Sequence, residues 1–326
     1  MKRFVTDPLM GVLLLTIVLA SLLPARDSAA QVLGIITTAA VVLLFFMHGV
    51  RLPRENLIAA VGHWRLHLAI LGSTFALVPV LGVGLHTLLP KLLPVQLWSG
   101  VLFLSCLPST VQSSIAMVSV ARGNVGAAIA AAALSNLLGI ALTPALVGLV
   151  LQAQGAGINF SGIWKIVLQL LLPFAIGHLL RPWLGAWAAR QKAILTYTDR
   201  ATIVLAVYSA FSAAVIGGIW HQVPGRTLLI LTTLVIVLFA AVMTLAQLAA
   251  RLLGFSREDG ITIAFCGSQK SLVSGVPMAR VLFAGPEVGM AVLPVMIYHQ
   301  LQLMVHAWLA RRWGDEAAAE DRGLRT

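Results

Sequence analysis

The sequence predicts an all-α polytopic membrane protein, and three observations carry that expectation. Hydrophobic residues make up 59% of the 326 and charged residues only 10%, where an ordinary soluble domain carries about 25% charge. The apolar residues gather into runs of about 20, the length that crosses a bilayer as a helix. The connectors between runs are short, and no linker, low-complexity block or separate polar domain interrupts them.

Ten runs can be placed, at about 8–24, 32–50, 66–89, 95–120, 124–152, 163–184, 198–219, 226–253, 260–284 and 287–310. The first follows Lys2 and Arg3 and precedes Ser28-Ala29-Ala30, the outline of a cleavable signal peptide. It is read as a retained helix, because the topology closes only with ten spans. The polar stretch 311–326 is expected to be a frayed cytoplasmic tail.

Orientation follows from the basic residues. Arg26, Lys91, Lys165, Arg226 and Arg280 fall on the side opposite the N-terminus; every other Lys and Arg except Lys270 falls on the N-terminal side. Lys and Arg accumulate on the cytoplasmic face, so both termini are expected there. Composition and short loops fit a bacterial inner (plasma) membrane. This scatter also accounts for the net charge of +11 without a nucleic-acid surface, which needs basic residues gathered on one face. Cys106 and Cys266 lie inside apolar runs, and no CxxC or Cys/His cluster of metal-site spacing occurs.

Two runs are polar where a membrane helix should be greasy. The fourth contains Pro108-Ser109-Thr110-Val111-Gln112-Ser113-Ser114. The ninth contains Gly267-Ser268-Gln269-Lys270-Ser271-Leu272-Val273-Ser274-Gly275-Val276-Pro277. A charge at bilayer depth costs about 3 kcal/mol or more. Lys270 lies about ten residues, or about 15 Å, from either end of its run, too far to snorkel with ease. Backbone freed by Gly and Pro must find partners inside the protein. The interruptions occupy the same place in two halves of five runs, approximately 8–152 and 163–310, and an odd number of spans makes such a repeat inverted. Paired interruptions of this kind point to a binding site near the midplane of a secondary transporter.

These residues also resemble the bile acid:sodium symporter superfamily, specifically its SBF-like branch. The resemblance runs in order through Phe45-Phe46-Met47-His48-Gly49-Val50-Arg51-Leu52, the Pro108 to Ser114 stretch, Gly123-Asn124, Leu142-Thr143-Pro144, Leu171-Leu172-Pro173-Phe174, Arg181-Pro182-Trp183 and Cys266 to Ala279. It implies one transporter domain of ten helices in two inverted repeats. One bundle would form a panel and the other a core in which broken fourth and ninth helices cross.

Candidate ion- or substrate-binding positions at the two interruptions are Thr110, Gln112, Ser113 and Ser114 on the fourth span and Gln269, Lys270, Ser271 and Ser274 on the ninth, and of these the resemblance carries over Gln112, Ser113, Ser114 and Gln269-Lys270-Ser271. The hydroxyl pair of the fifth span is replaced by Ala128 and Ala132, with Ser135 and Asn136 the polar groups close by. The glutamate of sodium-coupled relatives falls near Phe265. Every acid of the chain, from Asp7 to Asp321, lies in a tail or near a span end, which argues against sodium coupling. Lys270 would stand in for a bound cation, or lose its proton on desolvation and couple transport to H+, or pair with an anionic substrate. Near the middle of the last span, His299, Gln300 and Gln302 offer cavity or packing roles.

The expectation is a secondary transporter of a small organic anion working by alternating access, with Na+ or H+ as the only candidate coupling ions and no other cofactor. A sodium-dependent symporter of the bile acid type and a membrane regulator without transport are the alternatives. An enzyme is not expected: Lys270 and Ser271 are sequence neighbours, which on a helix do not face each other. No phosphate-binding Gly-x-x-x-x-Gly-Lys-Ser/Thr loop is present to drive pumping.

Overall fold

A computed structural model describes residues 8–52, 62–153, 160–218 and 223–321, and every regular element among them is helical. In chain order these are α1 (Pro8–Leu22), α2 (Asp27–Arg51), α3 (Trp64–Leu88), α4 (Val95–Ser105), α5 (Gln112–Val120) and α6 (Val125–Ala153). There follow α7 (Phe160–Leu179), α8 (Arg181–Arg190), α9 (Lys192–Ile216), α10 (Gly225–Leu252), α11 (Arg257–Ser268), α12 (Leu272–Leu282) and α13 (Glu287–Asp321). Six helices, α2, α3, α6, α9, α10 and α13, are long and apolar enough to cross a membrane, and shorter apolar stretches lie in α1, α4 and α7.

The helices pack as two groups. One joins α1, α2, α7 and α9, with the pairing of α2 on α7 the most extensive in the molecule. The other gathers α3 to α6 with α10, α11 and α13. The groups meet where α9 packs on α12 and α13 and where α6 packs on α7. Small residues let membrane helices approach closely, and Gly49 on α2 and Gly177 on α7 meet the backbone of the facing helix at Phe174 and Phe46.

Two local departures from straight helix have physical causes. Within α3, residues Ser73–Leu77 form a π-helical turn in which the Val78 N–H reaches back to Ser73 O. Pro79 follows directly and has no N–H to continue the ladder. The expected sixth span, 163–184, stops at Leu179, and α8 starts after Leu180 with Pro182 in its first turn, the position Pro prefers in a helix.

The polar stretch from Arg311 departs from the frayed tail expected of it. Through Asp321 it continues α13 as helix. Arg257 Nη2 donates to Trp313 O at 2.8 Å, and the Trp313 ring lies 5.1 Å from that of Phe265. Gly314 lets the α13 backbone rest on Val120 O. Tertiary partners thus supply what composition alone does not. Trp313→Ala is expected to lower the melting temperature of the purified protein measurably, by roughly 1–3 kcal/mol of stability. No change in a thermal melt would mean that this turn does not pack in solution.

Candidate functional site

Both polar interruptions are non-helical. The backbone leaves helix between α4 and α5, across 106–111, and between α11 and α12, at Gln269, Lys270 and Ser271. Pro108 cannot donate to a helix ladder, and its carbonyl accepts the Ser271 N–H at 2.8 Å. That bond ties the two interruptions together.

The backbone groups freed here find partners in side chains. Gln302 on α13 accepts from Lys270 N at 2.8 Å and donates to Lys270 O at 2.9 Å, so one amide satisfies both. Tyr298 donates to Ser268 O at 2.6 Å. On α6, Ser135 Oγ accepts from Ser109 N at 3.0 Å, Asn136 Nδ2 donates to Ser109 O at 2.9 Å, and Thr143 donates to Cys106 O at 2.9 Å. Buried backbone polar groups are costly when unpaired, and these five side chains meet that requirement.

Lys270 is fully buried. Its Nζ donates to Thr74 O at 2.8 Å, Ser105 O at 2.7 Å and Leu107 O at 2.8 Å, one acceptor for each ammonium hydrogen. Two of these carbonyls have lost their helical partners. Val78 N–H turns to Ser73 O and Pro79 has none to offer Thr74 O; Ser109 N, which would close the turn on Ser105 O, goes to Ser135 instead. No carboxylate contacts the ammonium among the described residues.

Beside the lysine, Gln269 Oε1 accepts from Thr110, from Ser113 at 2.7 Å and from Ser114 at 3.0 Å. Its Nε2 faces His306 Nδ1 at 3.0 Å. Ser271 caps α12, its Oγ accepting from Ser274 N at 3.1 Å, and Ser274 donates to Asn136 Oδ1 at 2.9 Å.

A cavity of about 600 Å³ adjoins this region. Its walls come from both helix groups: α1, α2, α7 and α9 on one side, α5, α6, α12 and α13 on the other. Thr110, Gln112, Ser113, Asn136, Ser271, Ser274 and His299 contribute the polar lining where the two interruptions meet. His48, Arg51, Asp199 and Arg200 line it from the C-terminal end of α2 and the first half of α9. Arg51 and Asp199 form a two-pronged ion pair at 2.7 and 3.1 Å, while Arg200 is exposed.

Of the positions singled out from sequence, those seven and Gln300 share the cavity, and Gln302 and four others stand behind it. Ser114, Gln269 and Lys270 are buried where the two interruptions meet, and Ser135 props Ser109. His299 Nδ1 lies 2.9 Å from Gln302 Nε2. Sequence reasoning missed His306, Tyr298, Thr74 and the Arg51–Asp199 pair. A signal for one existed: His299, Gln302 and His306 recur at helical spacing and mark one polar stripe on an apolar helix. Among the described residues no group of three or more His, Cys, Asp or Glu is placed to hold a metal ion.

A chain whose described residues are helical, with these apolar spans and two buried polar interruptions that meet beside a two-walled cavity, is a multi-pass membrane protein of the transporter class. It belongs to the SBF-like CPA transporter family, whose sequence model matches residues 7–315. It is 51% identical to an uncharacterized protein of Pseudomonas aeruginosa, over 97% of this chain and 96% of that protein. Identity is also 51% to the Escherichia coli K12 protein YfeH, whose name proposes a symporter, over 96% and 95% of the two chains. The sodium/bile acid cotransporter 7 of Xenopus tropicalis is 29% identical over 83% of this chain and 80% of its own. The last two of these relatives carry transport names, and none of the three carries an enzyme's.

Proposed function

We propose that the chain is a secondary transporter that moves a small organic anion by alternating access, with the Lys270 ammonium permanently occupying the place of a coupling cation. The observation that carries this reading is the triple carbonyl seat of Lys270. An oxygen cage around a fixed positive charge, with no carboxylate in contact, leaves little electrostatic room for a further buried cation. The same seat disfavours pairing of the lysine with substrate, since all three of its hydrogens are used inside the protein.

In this reading the whole chain is one transporter domain of ten spans, built as inverted repeats of about 8–152 and 163–310. The group of α1, α2, α7 and α9 acts as panel, and the rest as a core whose interrupted fourth and ninth spans cross at the midplane. Both termini, including the stretch 311–326, lie in the cytoplasm, and the membrane is the bacterial inner membrane. The Arg51 and Arg200 end of the cavity then faces the cytoplasm and receives the anion's charge. The crossing receives the other end, so Thr110, Gln112, Ser113, Asn136, Ser271, Ser274 and His299 contact substrate. Ser114, Ser135, Gln269 and Lys270 hold those residues in place.

The test is thermal unfolding of the detergent-purified protein in sodium, potassium or choline chloride at equal ionic strength, with Lys270→Gln alongside. A ligand that binds only the folded state raises the melting temperature by mass action. No sodium-specific change is expected in the natural protein, and a sodium-specific rise is expected in Lys270→Gln. A sodium-specific rise in the natural protein would sink the resident-cation reading and favour sodium symport.

A further inference from the structure

We infer that the face of the cavity formed by Thr110, Ser113, Asn136, Ser271 and Ser274 accepts hydrogen bonds and offers none, so that the transported anion carries a hydrogen-bond donor at the end remote from its charge. The inference rests on reading this cavity as the substrate site.

The hydrogens can be followed one by one. Ser268 Oγ donates to Ala264 O at 2.5 Å, so toward His306 Nε2, 3.2 Å away, it can only accept. A hydroxyl has one hydrogen. The proton of neutral His306 is therefore on Nε2, and its Nδ1 is bare. Gln269 must present its amide NH₂ to that bare nitrogen, which turns Gln269 Oε1 toward Thr110 and Ser113 and draws their hydroxyl hydrogens onto it. His306 thus acts through Gln269 as a positioning residue.

A second relay ends the same way. Asn136 Nδ2 gives both hydrogens away, to Ser109 O at 2.9 Å and Ala132 O at 3.0 Å. Its Oδ1 consequently faces Ser274 and takes that hydrogen. Ser271 in turn donates to Ser274 Oγ at 3.2 Å. Thr110, Ser113, Ser271, Ser274 and Asn136 all line the cavity, and each has its hydrogens committed elsewhere; lone pairs are what they offer.

An independent observation agrees. Gln300 also lines the cavity, and its Oε1 is buried with no partner among the described residues. A buried acceptor left unmade is costly, and a donor on the ligand would satisfy it. A terminal hydroxyl or amine on an organic acid supplies such a donor; a methyl or an ether does not.

The experiment measures dissociation constants by titration calorimetry on the full-length protein in potassium buffer. The probes are octanoate, its terminal hydroxy derivative and the methyl ether of that derivative. The hydroxy acid is expected to bind about fivefold or more tightly than the ether. His306→Phe keeps an aromatic ring against Phe239 and Phe265 but cannot orient Gln269, and it is expected to bring the two constants within about twofold. Should that variant fail to fold, Ser113→Ala removes one cavity acceptor and is expected to narrow the preference of the hydroxy acid over the ether. Equal binding of all three acids, or a full hydroxy preference in His306→Phe or in Ser113→Ala, overturns the inference and leaves the cavity as an anion site. Failure of every acid to bind overturns the substrate-site reading itself. Sodium would suit an oxygen-only surface too, and tightening of acid binding by sodium over potassium would assign these lone pairs to an ion and overturn the inference.

Discussion

Replacing Lys270 with Met is expected to destabilise the protein by on the order of 3–5 kcal/mol. The sign is not automatic, because a buried charge replaced by an apolar side chain sometimes gains stability when its partners are replaced with it. Here the partners are the carbonyls of Thr74, Ser105 and Leu107, which no substitution removes. Each buried acceptor left without a donor costs about 1–3 kcal/mol, and three of them outweigh the relief of uncovering the lysine. Lys270→Gln, with an amide to share among them, is expected to fall between. Melting curves of detergent-solubilised protein decide the matter: a Met variant as stable as the natural chain would mean that water already serves these carbonyls.

The second large effect is expected at the α2–α7 contact. A Cβ on Gly177 would lie 2.0 Å from Phe46 O, and one on Gly49 would lie 2.0 Å from Phe174 O. Both obstacles are backbone, so no side-chain rotation relieves them, and the helices must separate. Overpacking costs about 1–3 kcal/mol where neighbours can shift and more where they cannot. Gly177→Ala is expected at the upper end of that range, and Gly177→Val is expected to abolish recovery of monodisperse protein. The damage would also reach the cavity, since Phe45 and His48 on α2 and Phe174 on α7 line it. Size-exclusion profiles of the two variants are the measurement, and an unaltered profile for Gly177→Val would show that the close approach is not kept in the membrane.

What the sequence made legible is what side chains encode. Long apolar runs locate the helices, and the Ser, Gln, Lys and Pro residues inside two of them locate the interruptions. Lys270 stands out because a charge in such a run demands a reason. The environment of Lys270 was not legible, because its partners are carbonyls and every residue has one. Which carbonyls are left without helical partners depends on where α4 stops and on a turn inside α3, neither of which leaves a pattern in composition. The structured turn after Arg311 was hidden for a related reason: polar residues there look like tail until Trp313 is seen against Phe265. His306 was overlooked although its spacing from His299 and Gln302 was readable, because a histidine in an apolar span has an ordinary packing explanation.

The π-helical turn in α3 has a consequence for the lysine it never touches through a side chain. By diverting Val78 N–H to Ser73 and following it with an imino acid, the helix relinquishes one carbonyl, that of Thr74. The coordination number of the ammonium is thereby written partly at position 79, on a different helix. A residue there with an amide hydrogen would compete with Lys270 for the same oxygen. Two helices distant in sequence thus share a single acceptor, and the geometry of one sets the valence open to the other.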